Sequence, residues 1–204
     1  MISEFDALVL AGGRGSRLGG VRKPDLVVAG RRLLDIALDA AAGARRRVVV
    51  GDCDVPDGVL LTREDPPYGG PVEAVSAGLA VLQTHAPWTL LLAGDLPDAG
   101  AAVARLLAAD PRPDEDGVCL LDAGGRLQWL LGCYRSDALL ARLDDRGDPP
   151  LTAMYRLLGP LRLRGLDPEG ALVDDIDTPA DAHRWRASLP NDATGWQHED
   201  DRAQ

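Results

Sequence analysis

Short apolar runs alternate with longer segments of helical periodicity through the first half of the chain. The runs Ala7–Leu10, Arg47–Val50 and Trp88–Ala93 predict strands, and the unbroken β-branched run within Arg47–Val50 predicts a strand that is buried on both faces. Helices are predicted at Leu33–Ala42, from Pro71 onward and at Ala99–Ala109, because apolar residues recur there every three or four positions. A further short strand is expected at 59–62. This alternation predicts a parallel sheet with right-handed crossovers and with helices on both faces.

The second half departs from this alternation. A strand at Val118–Asp122, a turn at 123–125 and an extended return through 126–134 predict an antiparallel addition to the sheet. The elements expected after it are helices at Ser136–Leu143 (capped by Ser136) and Leu151–Leu158, a short strand at 161–163, and a last helix at Ala180–Ser188. Residues 190–204 are polar and acidic without periodicity. We therefore predict one α/β domain over residues 1–189, with a three-layer α/β/α Rossmann-like fold, and a disordered acidic tail over 190–204.

Composition limits the classes of function. The 204 residues are 46% hydrophobic and 26% charged, and no apolar run approaches the ~18 residues that a membrane span needs. The first residues lack the basic and then apolar order of a secretory signal, so we expect a cytosolic protein. Cys53, Cys119 and Cys133 are widely spaced and predict reduced, buried thiols. A net charge of −10 argues against a nucleic-acid surface, and any anion site must be local.

The first loop, Leu10–Pro24, has the composition of such an anion site. Its glycines let backbone N–H groups approach a phosphate, and Lys23 is the only lysine in the chain. Asp95 follows the strand that ends at Ala93. Because ligands of parallel sheets bind at the carboxyl ends of strands, we predict that this loop and Asp95 converge.

The spacing within the loop excludes two common nucleotide motifs. Leu18 occupies the third glycine position of a dinucleotide fingerprint, and Lys23 lacks the Gly and Ser/Thr neighbours of a P-loop. The loop instead resembles the nucleotidyltransferase signature LAGGxxxRxGxxxK, formed here by Leu10–Gly13, Arg17, Gly19 and Lys23. Among those enzymes the chain is most similar to the MobA-type molybdenum cofactor guanylyltransferases. The resemblance reaches to about Trp185 through Gly70-Pro71, Asp95-Leu96-Pro97, Gln128, and Asp175-x-Asp177-Thr178-Pro179.

This resemblance implies a Mg²⁺-dependent transfer of GMP from GTP to the phosphate of molybdopterin, with release of pyrophosphate. It implies catalytic roles for Arg17, Lys23 and Asp95, with Asp95 as the metal ligand. Molybdoenzymes or their chaperones are the implied protein partners, and no nucleic-acid or membrane partner is expected. The implied nucleotide-binding residues are Leu10, Ala11, Gly12, Gly13, Arg14, Gly15, Lys23, Asp65, Gly70 and Asp95, and the implied acceptor-binding residues are Gln128, Asp175 and Asp177.

Several of these residues have a second interpretation. A base-facing Asp65 would accept from both N1–H and the 2-amino group of guanine, but Glu64 is adjacent and an exposed loop acid is an equal alternative. Asp95 also suits a turn. Gln128 could be a surface residue beside a core tryptophan. Asp175 and Asp177 stand where the family often has asparagines, so they could bind metal or cap the last helix.

Arg22 is the main departure from the family pattern. Family members commonly carry aspartate before the lysine, and here that charge is reversed. The change either strengthens triphosphate binding or removes an acid that the reaction needs. Two alternatives therefore stay open: a same-fold enzyme that uses CTP or another phosphorylated acceptor, and a non-catalytic nucleotide-binding relative.

Overall fold

The computed structural model describes residues 1–12, 23–67, 69–145 and 153–168. Its strands and helices alternate as the sequence predicts. The strands are β1 (Phe5–Leu10), β2 (Val27–Val28), β3 (Arg31–Arg32), β4 (Arg47–Val50), β5 (Leu60–Thr62), β6 (Trp88–Ala93), β7 (Gly117–Leu121), β8 (Leu127–Arg135) and β9 (Leu163–Leu166). The α-helices are α1 (Leu33–Ala40), α2 (Pro71–Ala80), α3 (Ala99–Leu107), α4 (Ser136–Asp144) and α5 (Met154–Leu158), and a 3-10 turn spans Lys23–Asp25.

Seven of the strands form one sheet in the order β5-β4-β1-β6-β8-β7-β9. Strand β8 runs antiparallel to both of its neighbours, and every other pairing in this sheet is parallel. The predicted antiparallel addition is thus confirmed. Because β4 and β5 lie on one side of β1 and β6 lies on the other, the chain reverses its winding direction between β1 and β6.

Helices cover both faces of the sheet, which confirms the three-layer architecture. The side chains of α1 and α3 pack on one face around Leu34, Leu38 and Leu106. The other face carries α2, α4 and α5, packed around Val75, Leu139 and Leu157. Buried strands with covered faces explain why β4 and β6 are continuous apolar runs rather than alternating ones.

Several boundaries differ from the prediction. The β2–β3 hairpin was not predicted, because strands of two residues carry no periodicity; its turn is Ala29-Gly30, both with positive φ (51° and 76°). The strand expected at 161–163 begins at Leu163, where pairing with Gly117 starts.

Ser136 is not the cap of α4. It is the first residue of that helix, and its Oγ lies 2.8 Å from the Oγ1 of Thr89. Both residues are buried, so the two hydroxyl groups satisfy each other. The predicted start of the helix at 151, the helix at 180–188 and the tail at 190–204 lie outside the described residues.

All three cysteines are buried free thiols, as predicted. Burial raises the pKa of Cys119 to about 12, so this thiol stays protonated at neutral pH. Within the described part of the chain, no helix is long and apolar enough to cross a membrane.

Candidate active site

The first loop and the segment that carries Asp95 start side by side. Leu10 and Ala93 are register partners at the carboxyl ends of β1 and β6. The N–H of Gly94 donates to the carbonyl of Leu10 at 2.9 Å, one step beyond that pair. This junction is the point where the winding direction reverses, which is where doubly wound sheets open a crevice for ligands.

The same hydrogen-bond pattern continues across the two strands on the other side of β1. The N–H of Ala11 donates to Val50 at 2.8 Å, and the N–H of Gly51 donates to Thr62 at 2.8 Å. The carboxyl ends of β5, β4, β1 and β6 therefore form one continuous edge. Residues that follow β1, β4 and β6 meet along it, although these strands are far apart in the sequence.

Two glycines allow the backbone at Ala11 to enter this edge. A Cβ on Gly51 would lie 2.8 Å from the carbonyl carbon and oxygen of Ala11, and a Cβ on Gly94 would lie 3.2 Å from the oxygen of Leu10. Any side chain at Gly51 would therefore displace the start of the loop. Sequence reasoning did not identify this role, since each glycine reads as an ordinary stop after a strand.

Asp95 lies two residues beyond β6 and is half-buried. Leu96 is 3% exposed and Pro97 is also buried, so the turn that carries the carboxylate is anchored in the core. No group of three potential metal ligands occurs among the described residues. A single carboxylate still suits Mg²⁺, which commonly takes one or two carboxylates and completes its shell with substrate phosphates and water.

The loop after β5 approaches the start of the first loop at Gly12. A Cβ on Gly12 would lie 4.0 Å from Oε1 of Glu64, so this carboxylate stands close to the glycine segment. Asp65 is exposed, and its bond to Pro66 is cis. Gly70 has a φ of 97° immediately before α2. Residues with a side chain rarely adopt this conformation, so the backbone favours glycine at this position.

A cleft of about 260 Å³ opens beside the end of β6. Gln128 lies on its wall, and its Nε2 donates to Oδ2 of Asp122 at 3.2 Å. Because a carboxylate only accepts, this contact fixes which way the amide of Gln128 faces. The cleft is lined by Ala93, Leu96, Gln128, Trp129, Leu130, Leu131 and Met154.

Asp122 is a further site residue that the sequence did not single out. Its Oδ1 accepts from the N–H groups of Gly124 (2.8 Å) and Arg126 (3.0 Å), and its Oδ2 accepts from the Arg126 guanidinium at 2.8 Å. The backbone hydrogen bond from Arg126, with the guanidinium of the same residue, lowers the pKa of Asp122. Asp122 therefore stays ionised as it holds Gln128. The Asp-x-Gly-Gly turn was the available signal, but it indicated only a reversal of the chain.

Part of the predicted site lies outside the described residues. This applies to Gly13, Arg14, Gly15 and Arg17, and to Asp175 and Asp177. Lys23 begins the 3-10 turn Lys23–Asp25, and its side chain is likewise outside the description. The structure thus brings together Leu10, Ala11, Gly12, Glu64 and Asp95 around the sheet edge.

Residues 7–162 match the model of the MobA-like NTP transferase domain. The chain belongs to this family of nucleotidyltransferases. It is also 31% identical to a probable molybdenum cofactor guanylyltransferase of Methanosarcina acetivorans over 209 aligned residues, which span 86% of this chain and 87% of that protein. The match to the domain ends before Asp175 and Asp177, so the acceptor roles of these two residues rest on the resemblance alone.

Solved structures of enzymes with different nucleotides in their names share the fold. The molybdopterin-guanine dinucleotide biosynthesis protein A of Archaeoglobus fulgidus superposes with a TM-score of 0.63 at 17% identity, over 88% of this chain and 95% of that one. The inositol-1-phosphate CTP transferase of T. maritima gives 0.64 at 17% identity, over 88% and 91%. The fold is therefore common to both and does not by itself distinguish a protein named for guanine from one named for CTP.

Proposed function

We propose that this protein transfers GMP from GTP to the terminal phosphate of a molybdopterin and releases pyrophosphate. The junction of Leu10 with Gly94 supports the proposal most directly, because it joins the residue at which the glycine loop begins to the segment that carries Asp95. The adjoining cleft offers space for an acceptor on the same sheet edge. The curated relative named as a guanylyltransferase favours guanine and molybdopterin as the substrates.

The proposed reaction is an in-line displacement at the α-phosphorus of GTP. An oxygen of the acceptor phosphate forms the new bond, and the bond from the α-phosphorus to the oxygen that bridges to the β-phosphate breaks. Pyrophosphate leaves with that oxygen. A phosphate monoester with a second pKa of about 6 is already largely dianionic at neutral pH, so the nucleophile needs no general base. Positioning and charge neutralisation are the contributions left for the protein.

The residues divide between these two tasks. Backbone N–H groups of Gly12–Gly15 would hold phosphate oxygens together with Arg14, and Arg17 and Lys23 would offset the negative charge of the triphosphate. Asp95 would hold Mg²⁺, which supplies further positive charge to the phosphates. On the base side, Asp65 and Glu64 are the carboxylates that could accept from N1–H and the 2-amino group of guanine.

The direct test is pyrophosphate release in the presence of molybdopterin, with GTP and CTP in parallel. We expect turnover with GTP and little with CTP. Tighter binding or faster turnover with CTP would contradict the guanine assignment, and would favour the same-fold alternative.

Lys23→Ala tests the account of the loop. We expect kcat at saturating GTP to fall by about 100-fold, because the lost ammonium neutralises charge that develops in the transition state. Arg31→Ala is the matched control: Arg31 is an exposed residue of β3 that pairs with Asp39 of α1, and its loss should leave kcat unchanged. An unchanged kcat in Lys23→Ala would show that the loop binds without contributing to catalysis.

A second candidate function is that of a non-catalytic relative, which binds nucleotide without turnover. The charge reversal before Lys23 is the observation that favours it. In that case the protein binds GTP but releases no pyrophosphate from any nucleotide in the presence of molybdopterin. The variant Arg22→Asp should then restore the release of pyrophosphate. If wild-type protein turns over, this candidate is excluded.

A further inference from the structure

The wall of the cleft is formed by an irregular part of β8. Strand β8 pairs regularly with β7 from Gly117↔Tyr134 to Cys119↔Gly132, and the next pair is Leu121↔Leu127. Between those last two pairs β7 advances by two residues and β8 by five. Three additional residues of β8 are therefore accommodated in a bulge opposite β7.

Pairing with the other neighbour stops at the same place. The last register pair between β6 and β8 is Leu92↔Leu131. Ala93, the final residue of β6, therefore has no partner in β8. A regular strand would send alternate side chains to opposite faces of the sheet. Here the consecutive residues Trp129 and Leu130 both pack against the core on the face covered by α2, α4 and α5, whereas Leu131 packs on the opposite face. Residues Gln128–Leu131 together line the cleft.

The bulge is tied to the core by Tyr134. Its hydroxyl donates to the carbonyl of Trp129 at 2.7 Å and lies 2.9 Å from the Sγ of Cys119. Since the hydroxyl proton is directed to Trp129, the thiol is left as the donor in the contact with Cys119. Tyr134 is 0% exposed, so its hydroxyl provides a buried partner for a carbonyl that the bulge removes from regular pairing.

Gly132 leaves the space that this hydrogen bond requires. A Cβ at that position would lie 2.8 Å from the Tyr134 hydroxyl and 2.8 Å from the Sγ of Cys119. Burial raises the pKa of Tyr134 well above its usual range, so the hydroxyl remains a donor at neutral and moderately alkaline pH. The hydroxyl therefore keeps the proton that it donates to Trp129 over this pH range.

We infer that Tyr134 is a positioning residue for the acceptor side of the site: its hydroxyl fixes the bulge Gln128–Leu131 in the shape that forms the cleft wall. This inference rests on the proposed function for the identity of the acceptor, a phosphorylated pterin. The nucleotide side is built from the ends of β5, β4, β1 and β6, and the Tyr134 hydroxyl contacts none of these ends in the hydrogen bonds described. Loss of the Tyr134 hydroxyl should therefore weaken the binding of the acceptor and leave the binding of GTP unchanged.

The test is Tyr134→Phe in the full chain, with steady-state kinetics and hydrogen exchange measured on the same protein. We expect the KM for molybdopterin to rise about fivefold. The loss of one hydrogen bond should lower, by about this factor, the fraction of molecules in which Gln128–Leu131 has the shape that binds the acceptor. The Kd for GTP should stay within about twofold of the wild-type value. Amide exchange should accelerate at Gln128–Leu131 and remain unchanged at Leu10 and Ala93.

Cys133→Ala is the matched control. Cys133 is buried in the same strand, but its side chain packs in the core cluster on the opposite face from Tyr134. Its loss should lower stability without changing the KM for molybdopterin or the exchange at Gln128–Leu131. A purely structural role of Tyr134 would make both variants behave alike.

Two results would overturn the inference. One is unchanged exchange at Gln128–Leu131 in Tyr134→Phe, and the other is an equal weakening of GTP and acceptor. If wild-type protein releases no pyrophosphate with molybdopterin, the proposed function fails. The exchange measurement still decides in that case whether Tyr134 fixes the wall, so the two failures are distinguishable.

Discussion

At the scale of single residues, Asp95 is the side chain whose charge matters most to the proposed chemistry. It stands just beyond the Leu10–Gly94 junction, on a turn held by the buried Leu96 and Pro97. Substitution by asparagine keeps the size of the side chain and removes the negative charge. A neutral amide is a much poorer ligand for Mg²⁺ than a carboxylate. The proposed role of Asp95 in holding Mg²⁺ would therefore depend on its negative charge rather than on its shape.

We predict that Asp95→Asn lowers kcat/KM for GTP by about 100-fold or more and leaves the fold intact. Pyrophosphate release should be measured over a series of Mg²⁺ concentrations, with circular dichroism as the check on folding. The control is Asp57→Asn, an exposed residue that precedes β5 and so lies toward the amino ends of the strands. Full activity in Asp95→Asn would assign Asp95 to the turn alone, the second interpretation of this residue.

At the scale of elements, the packing of α2 sets the position of the sheet edge that contains the site. Gly78 of α2 faces β1 and β4, where a Cβ would lie 2.8 Å from Cδ2 of Leu8 and 2.9 Å from Cγ2 of Val50. Both neighbours are fully buried. The helix can therefore approach these strands closely only because this position has no side chain.

The same substitution in two helices should consequently have opposite effects. Gly78→Ala should lower the free energy of unfolding by about 1–3 kcal/mol through overpacking. Gly100→Ala in α3 meets no atom within 4 Å and should raise it by about 0.5–1 kcal/mol, because alanine favours helix. Urea denaturation of both variants measures the difference. A gain in stability for Gly78→Ala would mean that α2 can move away from the sheet at little cost.

At the scale of the whole molecule, the fold could be predicted where the sequence is locally unambiguous. Unbroken apolar runs that stop at a glycine predicted the ends of β4 and β6, and Pro71 predicted the start of α2. Strand order could not be predicted from these runs alone, but the alternation of strands and helices was sufficient to expect that the first loop and Asp95 converge. That expectation depended on the geometry common to parallel sheets.

The features that sequence reasoning missed depend on contacts between distant residues. The bulge in β8 is stabilised by the bond from Tyr134 to Trp129 and by the space at Gly132, and hydrophobic periodicity carries no signal for either. Gly51 is required by the backbone of Ala11, forty positions earlier in the numbering, and so reads as an ordinary turn. Gln128 was identified through the family resemblance, whereas its partner Asp122 appeared only in the structure.

The proposed nucleotide site lies along the ends of four strands, and this has a thermodynamic consequence for the whole domain. The hydrogen bonds Ala11–Val50 and Gly94–Leu10 join segments that are far apart in the sequence, and the bond Gly51–Thr62 extends the same edge to β5. An unfolded chain cannot present this edge, so GTP should bind the folded state alone. At a free GTP concentration 100 times its Kd, the folded state should gain about 2.7 kcal/mol.

We therefore predict that saturating GTP with Mg²⁺ raises the melting temperature by about 5–10 °C, a shift measurable by differential scanning fluorimetry. CTP at the same concentration should raise it less, and chelation of Mg²⁺ should reduce the effect of GTP. Lys23→Ala should lose most of the shift, whereas Asp57→Asn should retain it. An equal shift with CTP would contradict the guanine preference, and the absence of a shift with either nucleotide would contradict a nucleotide site at this edge of the sheet.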